Sequence, residues 1–270
     1  LLSACSPSQR LDGHAHFRLV SNPTTLDPAL VVDVQSSMIA AKLFNGLVRL
    51  GDDLEVIPDI AERWTVSADG RRYRFHLRRD VRFPDGRPVA ADDVRYSFER
   101  VLSPKTKSPN IWIFQQVEGG AEYRSGTASD VAGFRTLDPH TFEIILKQPF
   151  SPFLRMLTMP PAFVVQHEAV EQKGPGFGHA PSGTGPFVLS RWLPDHEVVL
   201  GRKPDYFGSA PKVAGIVYRV IPEDLTALTE FELGNLDAVA LPASAYAKFR
   251  NDPKWQKRVA VFHGMNTYYL

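Results

Sequence analysis

Residues 60–86 read IAERWTVSADGRRYRFHLRRDVRFPDG, and this stretch decides the fold of the middle of the chain. Apolar and polar residues alternate through 63–66 and again through 73–77, which is the period of a half-buried β-strand. The Asp-Gly pair at 69–70 stands between the two runs and predicts the turn of a β-hairpin. Because a Pro-Asp-Gly turn follows at 84–86, the stretch predicts short antiparallel strands joined by tight turns.

Helices are predicted on both sides of this hairpin. Asp33 is placed to cap a helix that starts at Val34 and carries a wide apolar stripe until Gly46 closes it. Asp92 and Asp93 open another helix, with apolar residues on one face further along. Two adjacent carboxylates are compatible with acid catalysis. The favoured interpretation is that acids in a first helical turn meet the positive end of the helix dipole.

The second half alternates between strand and helix signals. In order, the sequence predicts a hairpin with strands at 187–192 and 197–200, a strand at 216–220, a helix at 222–234, a strand at 236–241, a helix at 244–250 and a strand at 259–263. This alternation contrasts with the antiparallel middle of the chain. The sequence therefore predicts two units, one α/β and one α+β.

Composition excludes some classes of protein. The 270 residues carry 31 basic and 30 acidic side chains, which gives a net charge of +1. A net charge this close to zero gives no sign of binding to nucleic acid or to an anionic lipid surface, which an overall excess of basic residues would indicate. No apolar stretch approaches the ~18 residues that a membrane-spanning helix needs.

The only cysteine, Cys5, stands in the run LSACS at 2–6. An apolar residue, two small residues and a cysteine form the pattern at which bacterial lipoproteins are cut and lipidated, so Cys5 is a candidate lipidation site. The alternative is an unpaired cysteine near a chain boundary. With an anchor, residues 1–4 would be removed and acyl chains would hold the rest outside the cytoplasm. The aromatic run at 267–270 has no turn after it, so we expect the sequence to continue into a longer protein.

Catalytic motifs are mostly missing. The sequence has no P-loop, no H-E-x-x-H and no G-x-S-x-G element. Ser209 and Lys212 match S-x-x-K, but a proline interrupts the required helix, so a turn is favoured over an acylating pair. The Gly-Thr-Gly-Pro run at 183–186 leads into a strand and is interpreted as a structural crossing rather than a phosphate loop. His14 and His16 point to one side of an extended chain, where a metal is possible but exposed tether residues are favoured.

Several motifs together resemble one family. Besides residues 60–94, they are LDP at 26–28, LFNGL at 43–47, PSGTGPF at 181–187, DYF at 205–207 and GNLDA at 234–238. In order and spacing they closely resemble the signature of family 5 extracellular solute-binding proteins, the oligopeptide- and dipeptide-binding components of ABC importers. The resemblance extends from about residue 20 to the end of the sequence, which makes it far more specific than any single motif.

The resemblance implies an α/β plus α+β fold. It resembles a type II lobe of the periplasmic binding proteins with an inserted, family-specific mixed subdomain, the second lobe being absent. Residues 1–15 would be signal remnant, lipobox and tether. Lobe I would combine 16–48 with 178–264, and the inserted α+β subdomain would be 49–177. Residues 265–270 would start the hinge crossing to the missing lobe.

The resemblance also implies ligand contacts. The positions that correspond to the ligand wall are Val32, Asp33, Val34, Trp112, Phe114, Asn266, Thr267 and Tyr268. The last three would lie on the crossing strand. Alternatives stay open: Asp33 caps its helix, Trp112 belongs to the subdomain core, and Tyr268 packs in the hinge.

By resemblance, the function is capture of a solute by closure of two lobes, with delivery to ABC permease subunits in the membrane. The protein would be a monomeric lipoprotein in the periplasm or on the outer face of the cell membrane, with no cofactor, metal, nucleic acid or enzymatic activity. The default solute is a peptide, and this half alone would bind it weakly. The alternatives are a sensing or protein-interaction module, a binder of nickel complexes, opines or oligosaccharides, and an acyl-transfer enzyme using Ser209 and Lys212.

Overall fold

The computed structural model of the chain describes residues 10–261. Within them, the strands are β1 (His14–Leu19), β2 (Val48–Leu50), β3 (Val56–Pro58), β4 (Ala61–Val66), β5 (Arg72–Leu77), β6 (Phe134–Asp138), β7 (Thr141–Ile145), β8 (Phe187–Leu193), β9 (Glu197–Arg202) and β10 (Gly215–Val220). The α-helices are α1 (Val34–Leu43), α2 (Ala91–Leu102), α3 (Gly120–Ser125), α4 (Phe153–Met156), α5 (His167–Lys173), α6 (Asp224–Glu232) and α7 (Ala243–Asn251). None of these helices has the length and apolar content needed to cross a lipid bilayer.

The first sheet joins the start of the described chain to strands from its second half. Its strand order is β1-β10-β9-β8, with β1 parallel to β10 and the other pairs antiparallel. The register places His14 opposite Gly215 and Leu19 opposite Val220. Residues 14–19 and 215–220 therefore lie side by side, although most of the chain separates them.

The second sheet is built around the predicted hairpin. Its order is β4-β5-β7-β6, all antiparallel, and Trp64 lies opposite Phe75 across the hairpin. Helix α2 begins where the two aspartates predict it, and the carboxylate of Asp93 accepts a hydrogen bond from the Ala90 N–H at 2.9 Å. The predictions of the hairpin and of a helix with both aspartates in its first turn are confirmed.

Two apolar cores result. One lies under the second sheet and is centred on four rings whose centroids are 4.6 to 6.0 Å apart, Phe98, Phe114, Phe134 and Phe142. The other lies between α1 and the first sheet. Side chains from 163–177 also pack into this second core, beside residues from β9 and β10.

Two strand predictions in the second half are wrong. Residues 236–241 form no strand, because the Asp237 N–H donates to the His16 carbonyl while its carboxylate accepts the His16 N–H, which caps the edge of β1 locally. The apolar residues of this stretch instead fill two small cores. Residues 259–261 are not strand either, and 262–263 lie outside the described residues.

The two histidines of β1 are not tether residues. His16 is 3% exposed, and its ring Nε2 lies 3.3 Å from the Leu11 carbonyl. His14 already belongs to the strand, because it pairs with Gly215 of the parallel partner β10. Ser209 stands in an exposed bend, as the turn interpretation predicts.

A buried polar junction lies where the two cores meet. Asn45 follows α1, and its amide nitrogen donates to both carboxylate oxygens of Asp59, at 2.8 and 3.0 Å, and to the Tyr206 hydroxyl at 3.1 Å. The Thr184 hydroxyl donates to the amide oxygen of Asn45 at 3.1 Å. Asn45, Asp59 and Thr184 are all buried. Three side chains from distant parts of the sequence thus converge on the amide of Asn45.

The junction perturbs the acid that it contains. Burial raises the pKa of Asp59 to about 6, although the hydrogen bonds from Asn45 and the charges of Arg49 and Arg78 act in the opposite direction. Burial likewise raises the pKa of the Tyr206 hydroxyl. In its charged form Asp59 therefore lowers the stability of the fold, because the buried carboxylate has lost its hydration.

Two glycines allow this junction to close. Gly183 and Gly185 lie directly against the end of α1, and the Gly185 N–H donates to the Leu43 carbonyl at 2.9 Å. A Cβ at Gly185 would overlap the backbone of Leu43 and Lys42. The Gly-Thr-Gly-Pro run therefore serves close packing of backbone on backbone, which agrees with its interpretation as a structural crossing.

Gly185→Ala is predicted to destabilise the chain by about 1–3 kcal/mol, because the added methyl meets backbone that cannot yield like a side chain. The measurement is the free energy of unfolding in urea. Gly176→Ala is the matched control, since a Cβ there meets no atom within 4 Å. Equal losses in the two variants would contradict the close-packing account.

Asp59→Asn is predicted to remove a pH dependence of stability. The folded pKa of about 6 lies above the unfolded value of about 3.9, so the folded state holds the extra proton between these values. Protonation of Asp59 therefore adds to the free energy of unfolding, fully below pH 4, and this contribution is lost as the pH rises through 6. Between pH 5 and pH 7 the loss is about 1 kcal/mol.

The measurement compares urea unfolding at pH 5 and pH 7. The free energy of unfolding of the native chain, relative to that of Asp59→Asn, should be higher at pH 5 than at pH 7. The exposed Asp52→Asn variant should show the same change with pH as the native chain. A native chain that gains no stability relative to Asp59→Asn on acidification would refute the assignment.

Candidate functional site

The candidate site lies at the carboxyl ends of the parallel strands β1 and β10. Ligands of open α/β sheets bind at this edge, where loops leave the strands. The loop after β1 runs from Val20 to Asp33 and leads into α1. The tip of the β8–β9 hairpin lies at the same edge, because the Asp195 N–H donates to the Asn22 side chain at 2.7 Å.

Asp33 caps α1, as one of the two interpretations of this residue predicts. One carboxylate oxygen accepts the Ser36 N–H at 2.8 Å, and the other accepts the hydroxyls of Thr24 at 2.6 Å and Ser36 at 2.7 Å. Partial burial alone would raise the pKa of Asp33, but these hydrogen bonds outweigh it and hold the pKa below its usual value. The charge of Asp33 is therefore already engaged inside the protein.

The residues on either side of Asp33 face outward. Val32 is 67% exposed and Val34 is 68% exposed, which is high for branched apolar side chains. Trp112 is 40% exposed. These three apolar side chains, Val32, Val34 and Trp112, are called the outer wall below.

Hydrogen bonds bring the two parts of the outer wall together. The Asn110 amide donates to the carbonyls of Ala29 and Val31, at 3.3 and 2.9 Å, and the Ser108 hydroxyl also donates to the Ala29 carbonyl at 2.5 Å. Ser108 and Asn110 are buried. Because these donors stand just before Trp112 and these acceptors just before Val32, the segment 108–112 is fixed beside the loop that precedes α1.

Phe114 requires a correction. Its ring is fully buried and packs against Phe98 and Phe134, with centroid distances of 4.6 and 5.4 Å. A ring with no exposed surface offers no contact to a solute, so the predicted ligand contact is wrong for this side chain in this structure. The short 3-10 turn from Ile111 to Phe114 turns Trp112 outward and Phe114 inward.

A second anchor holds the start of the loop. The guanidinium of Arg100 in α2 donates to both oxygens of Asp27, at 2.7 and 2.5 Å, and both side chains are largely buried. A cleft of about 520 Å³ opens beside this pair, lined among others by Leu30, Tyr96 and Tyr123. The loop of the candidate site is thus tied to the middle of the chain at Asp27 and again at Ala29 and Val31.

The structure does not address every predicted site residue. Cys5, Asn266, Thr267 and Tyr268 lie outside the described residues. Within residues 10–261, no group of three or more His, Cys, Asp or Glu side chains is placed to hold a metal ion.

Sequence reasoning missed the residues that position the wall. Asp27 stands in the LDP motif at 26–28, but its partner Arg100 lies 73 positions away, and no local pattern links the two residues. Ser108 and Asn110 read as ordinary loop residues. The one indication in the sequence is that both residues come just before the apolar run 111–114 in an otherwise polar stretch.

Comparison with known proteins identifies relatives of the chain. The family model described as bacterial extracellular solute-binding proteins, family 5 Middle, matches residues 55–270. The chain is 31% identical over 229 residues to the probable deoxycholate-binding periplasmic protein YgiS of Escherichia coli K12, covering 83% of the chain and 43% of YgiS. It is 30% identical over 241 residues to the periplasmic oligopeptide-binding protein OppA of the same strain, covering 86% of the chain and 44% of OppA.

The fold has relatives among solved structures. The substrate-binding domain of an oligopeptide ABC transporter from Bacillus anthracis matches with a TM-score of 0.84 and 26% identity, covering 90% of this chain and 48% of that one. The chain spans less than half the length of the curated relatives that it matches.

Asp33→Ala is predicted to destabilise the chain by about 1 kcal/mol, because it removes the cap of α1, whereas Asp33→Asn should retain most of the stability. Urea unfolding measures both. Because the pKa of Asp33 is lowered on folding, the stability due to its charge is present above pH 4 and is lost as the pH falls through the folded pKa.

The control is Val34→Ala, which changes an exposed side chain in the first turn of the same helix. It should leave the free energy of unfolding nearly unchanged. A loss in Asp33→Asn as large as that in Asp33→Ala would show that charge, and not capping, is what this position supplies.

Proposed function

The chain belongs to the bacterial extracellular solute-binding proteins of family 5, and we propose that it forms one wall of a solute-binding cleft in the binding component of an ABC importer. The observation that carries this proposal is the family match over residues 55–270. The outer wall supports it, because exposed apolar side chains gather at the edge of the sheet where ligands of such folds bind. The site of action would be outside the cytoplasm.

We propose a peptide as the solute. The chemistry of the wall supports this choice: Val32, Val34 and Trp112 offer apolar contact, and Asp33 offers no free charge, since its oxygens are occupied. A wall of this kind suits an extended backbone whose side chains vary, because it does not demand one particular charge. Charged groups that recognise the ends of a peptide would then come from the rest of the protein.

Capture would proceed by closure of two lobes. In this proposal 16–48 and 178–264 form lobe I, 49–177 form an inserted subdomain, and a second lobe lies outside this chain. A solute that touches both lobes stabilises the closed form by its additional contacts, and the closed form docks on the permease. The chain alone supplies one side of these contacts and should bind weakly.

We also propose that Cys5 carries a lipid anchor and that the protein acts as a monomer held at the membrane. The support is the run at 2–6, in which a cysteine follows an apolar and two small residues. Acyl chains would keep the binding protein close to its permease.

A second candidate solute is an amphipathic molecule with a rigid apolar face. The specific observation is that the wall is apolar, and one relative is named as a probable deoxycholate-binding protein. Such a solute would lie flat against Val32 and Trp112 rather than extend along them.

Tetra-alanine titrated into the isotope-labelled chain is predicted to shift backbone amide NMR signals of 20–38 and 108–112, with millimolar affinity. NMR is chosen because it detects weak binding by one lobe. Val32→Ala and Trp112→Ala should each weaken the binding about tenfold, since each removes a large exposed apolar contact. Deoxycholate, titrated in parallel, tests the second candidate solute.

Val66→Ala is the control, because it removes an exposed apolar side chain on β4, outside the outer wall. Its affinity should equal that of the native chain. Shifts confined to other surfaces, or equal weakening by all three variants, would reject the outer wall as the site. Shifts with deoxycholate and none with tetra-alanine would reject the peptide in favour of the second candidate.

A further inference from the structure

Although the net charge of the whole sequence is +1, the segment 246–258 is strongly basic. Residues 246–258 contain five basic side chains and one acid, which leaves 26 basic and 29 acidic residues in the rest of the sequence. The segment covers the end of α7 and the 3-10 turn Gln256–Arg258. Its basic residues, all exposed, are Lys248, Arg250, Lys254, Lys257 and Arg258, and they are called the basic patch below.

Aromatic rings bring three of these cations together. Phe249 and Trp255 are buried, and their ring centroids are 5.7 Å apart. The charged group of Lys248 lies 5.3 Å from the first ring, while those of Lys254 and Arg258 lie 4.4 and 5.7 Å from the second. The pair of rings therefore holds three positive charges over one small area.

Few carboxylates neutralise the basic patch. Lys248 pairs with Glu232 at 3.2 Å, but within residues 10–261 the other four basic side chains make no ion pair. The single acid of the segment, Asp252, accepts the Lys254 backbone N–H at 2.7 Å. The sequence from 259 to 270 contains no acidic residue. The positive charge is thus left facing solvent.

We propose that the basic patch binds the anionic headgroups of a lipid membrane. Lysines and arginines clustered at a protein surface are attracted to anionic lipid, at about 1 kcal/mol for each charge near the membrane. The buried state of Phe249 and Trp255 favours a membrane over a protein partner, because protein interfaces draw their specificity from exposed aromatic anchors and the rings here are covered. The two cavities described for the structure lie away from the patch, so a charged surface fits it better than a discrete anion.

This binding would orient the lobe at the membrane. It is separate from the proposed solute binding, because the basic patch shares no residue with the outer wall. It is separate from the proposed anchor as well, because it needs no acyl chain on Cys5.

The test is sedimentation of the full, non-acylated chain with vesicles. The chain should sediment with vesicles containing phosphatidylglycerol at 0.1 M salt and not with vesicles of pure phosphatidylcholine. Binding should disappear at 0.5 M salt, because exposed charges are then screened. Changing Lys254, Lys257 and Arg258 together to Gln should weaken binding about a hundredfold, at roughly fivefold for each charge removed.

The matched control changes Lys105, Lys107 and Arg124 together to Gln. These are also two lysines and an arginine, all exposed and without an ion pair in the described part of the chain, so the net charge falls equally. The control should bind like the native chain. Equal weakening in both triple variants, equal binding to neutral vesicles, or no binding by the native chain would each overturn the proposal. Circular dichroism and urea unfolding check that both variants remain folded.

Discussion

The side-chain amide of Asn45 is the interaction on which this architecture depends. It hydrogen-bonds to Asp59, Tyr206 and Thr184, three side chains that come from different parts of the sequence. One of its neighbours in the chain, Phe44, belongs to the core of the first sheet, while Leu47 belongs to the core of the second. Buried polar groups need all of their partners, so this arrangement is satisfied only when both cores sit in one relative position.

The same constraint reaches the candidate site through α1. Asn45 fixes the end of this helix, and its start carries the Asp33 cap and the outer wall. The loop before the helix is held independently, by Arg100 at Asp27 and by Asn110 at Val31. Val32 thus follows a loop that is secured at several points, which limits the conformational entropy that solute contact would have to overcome.

The parts of the fold that follow from local pattern could be predicted. The hairpin at 69–70, the cap at Asp33 and the start of α2 depend on neighbouring residues, and the sequence displays them. The stretch at 236–241 is short and apolar, as a buried strand is, but Asp237 hydrogen-bonds to His16 and caps the edge of β1 locally instead of starting a strand. Phe114 and Trp112 are both aromatic and two residues apart, and only the 3-10 turn decides which faces outward. Pairs such as Asp27 and Arg100 are set by tertiary contact, which no local pattern encodes.

The buried carboxyl group of Asp59 bears on which parts of the protein can move relative to one another. An acid whose pKa is raised by burial lowers stability at neutral pH, so the junction is not explained by stability alone. A polar group satisfied in one geometry does, however, penalise every other geometry, because separating the two cores would leave Asp59 and Asn45 without partners. The two cores that meet at Asn45 should therefore move as one rigid body under the proposed function. Closure around a solute would then take place between this body and the second lobe, and the outer wall would keep its shape in both the open and the closed form.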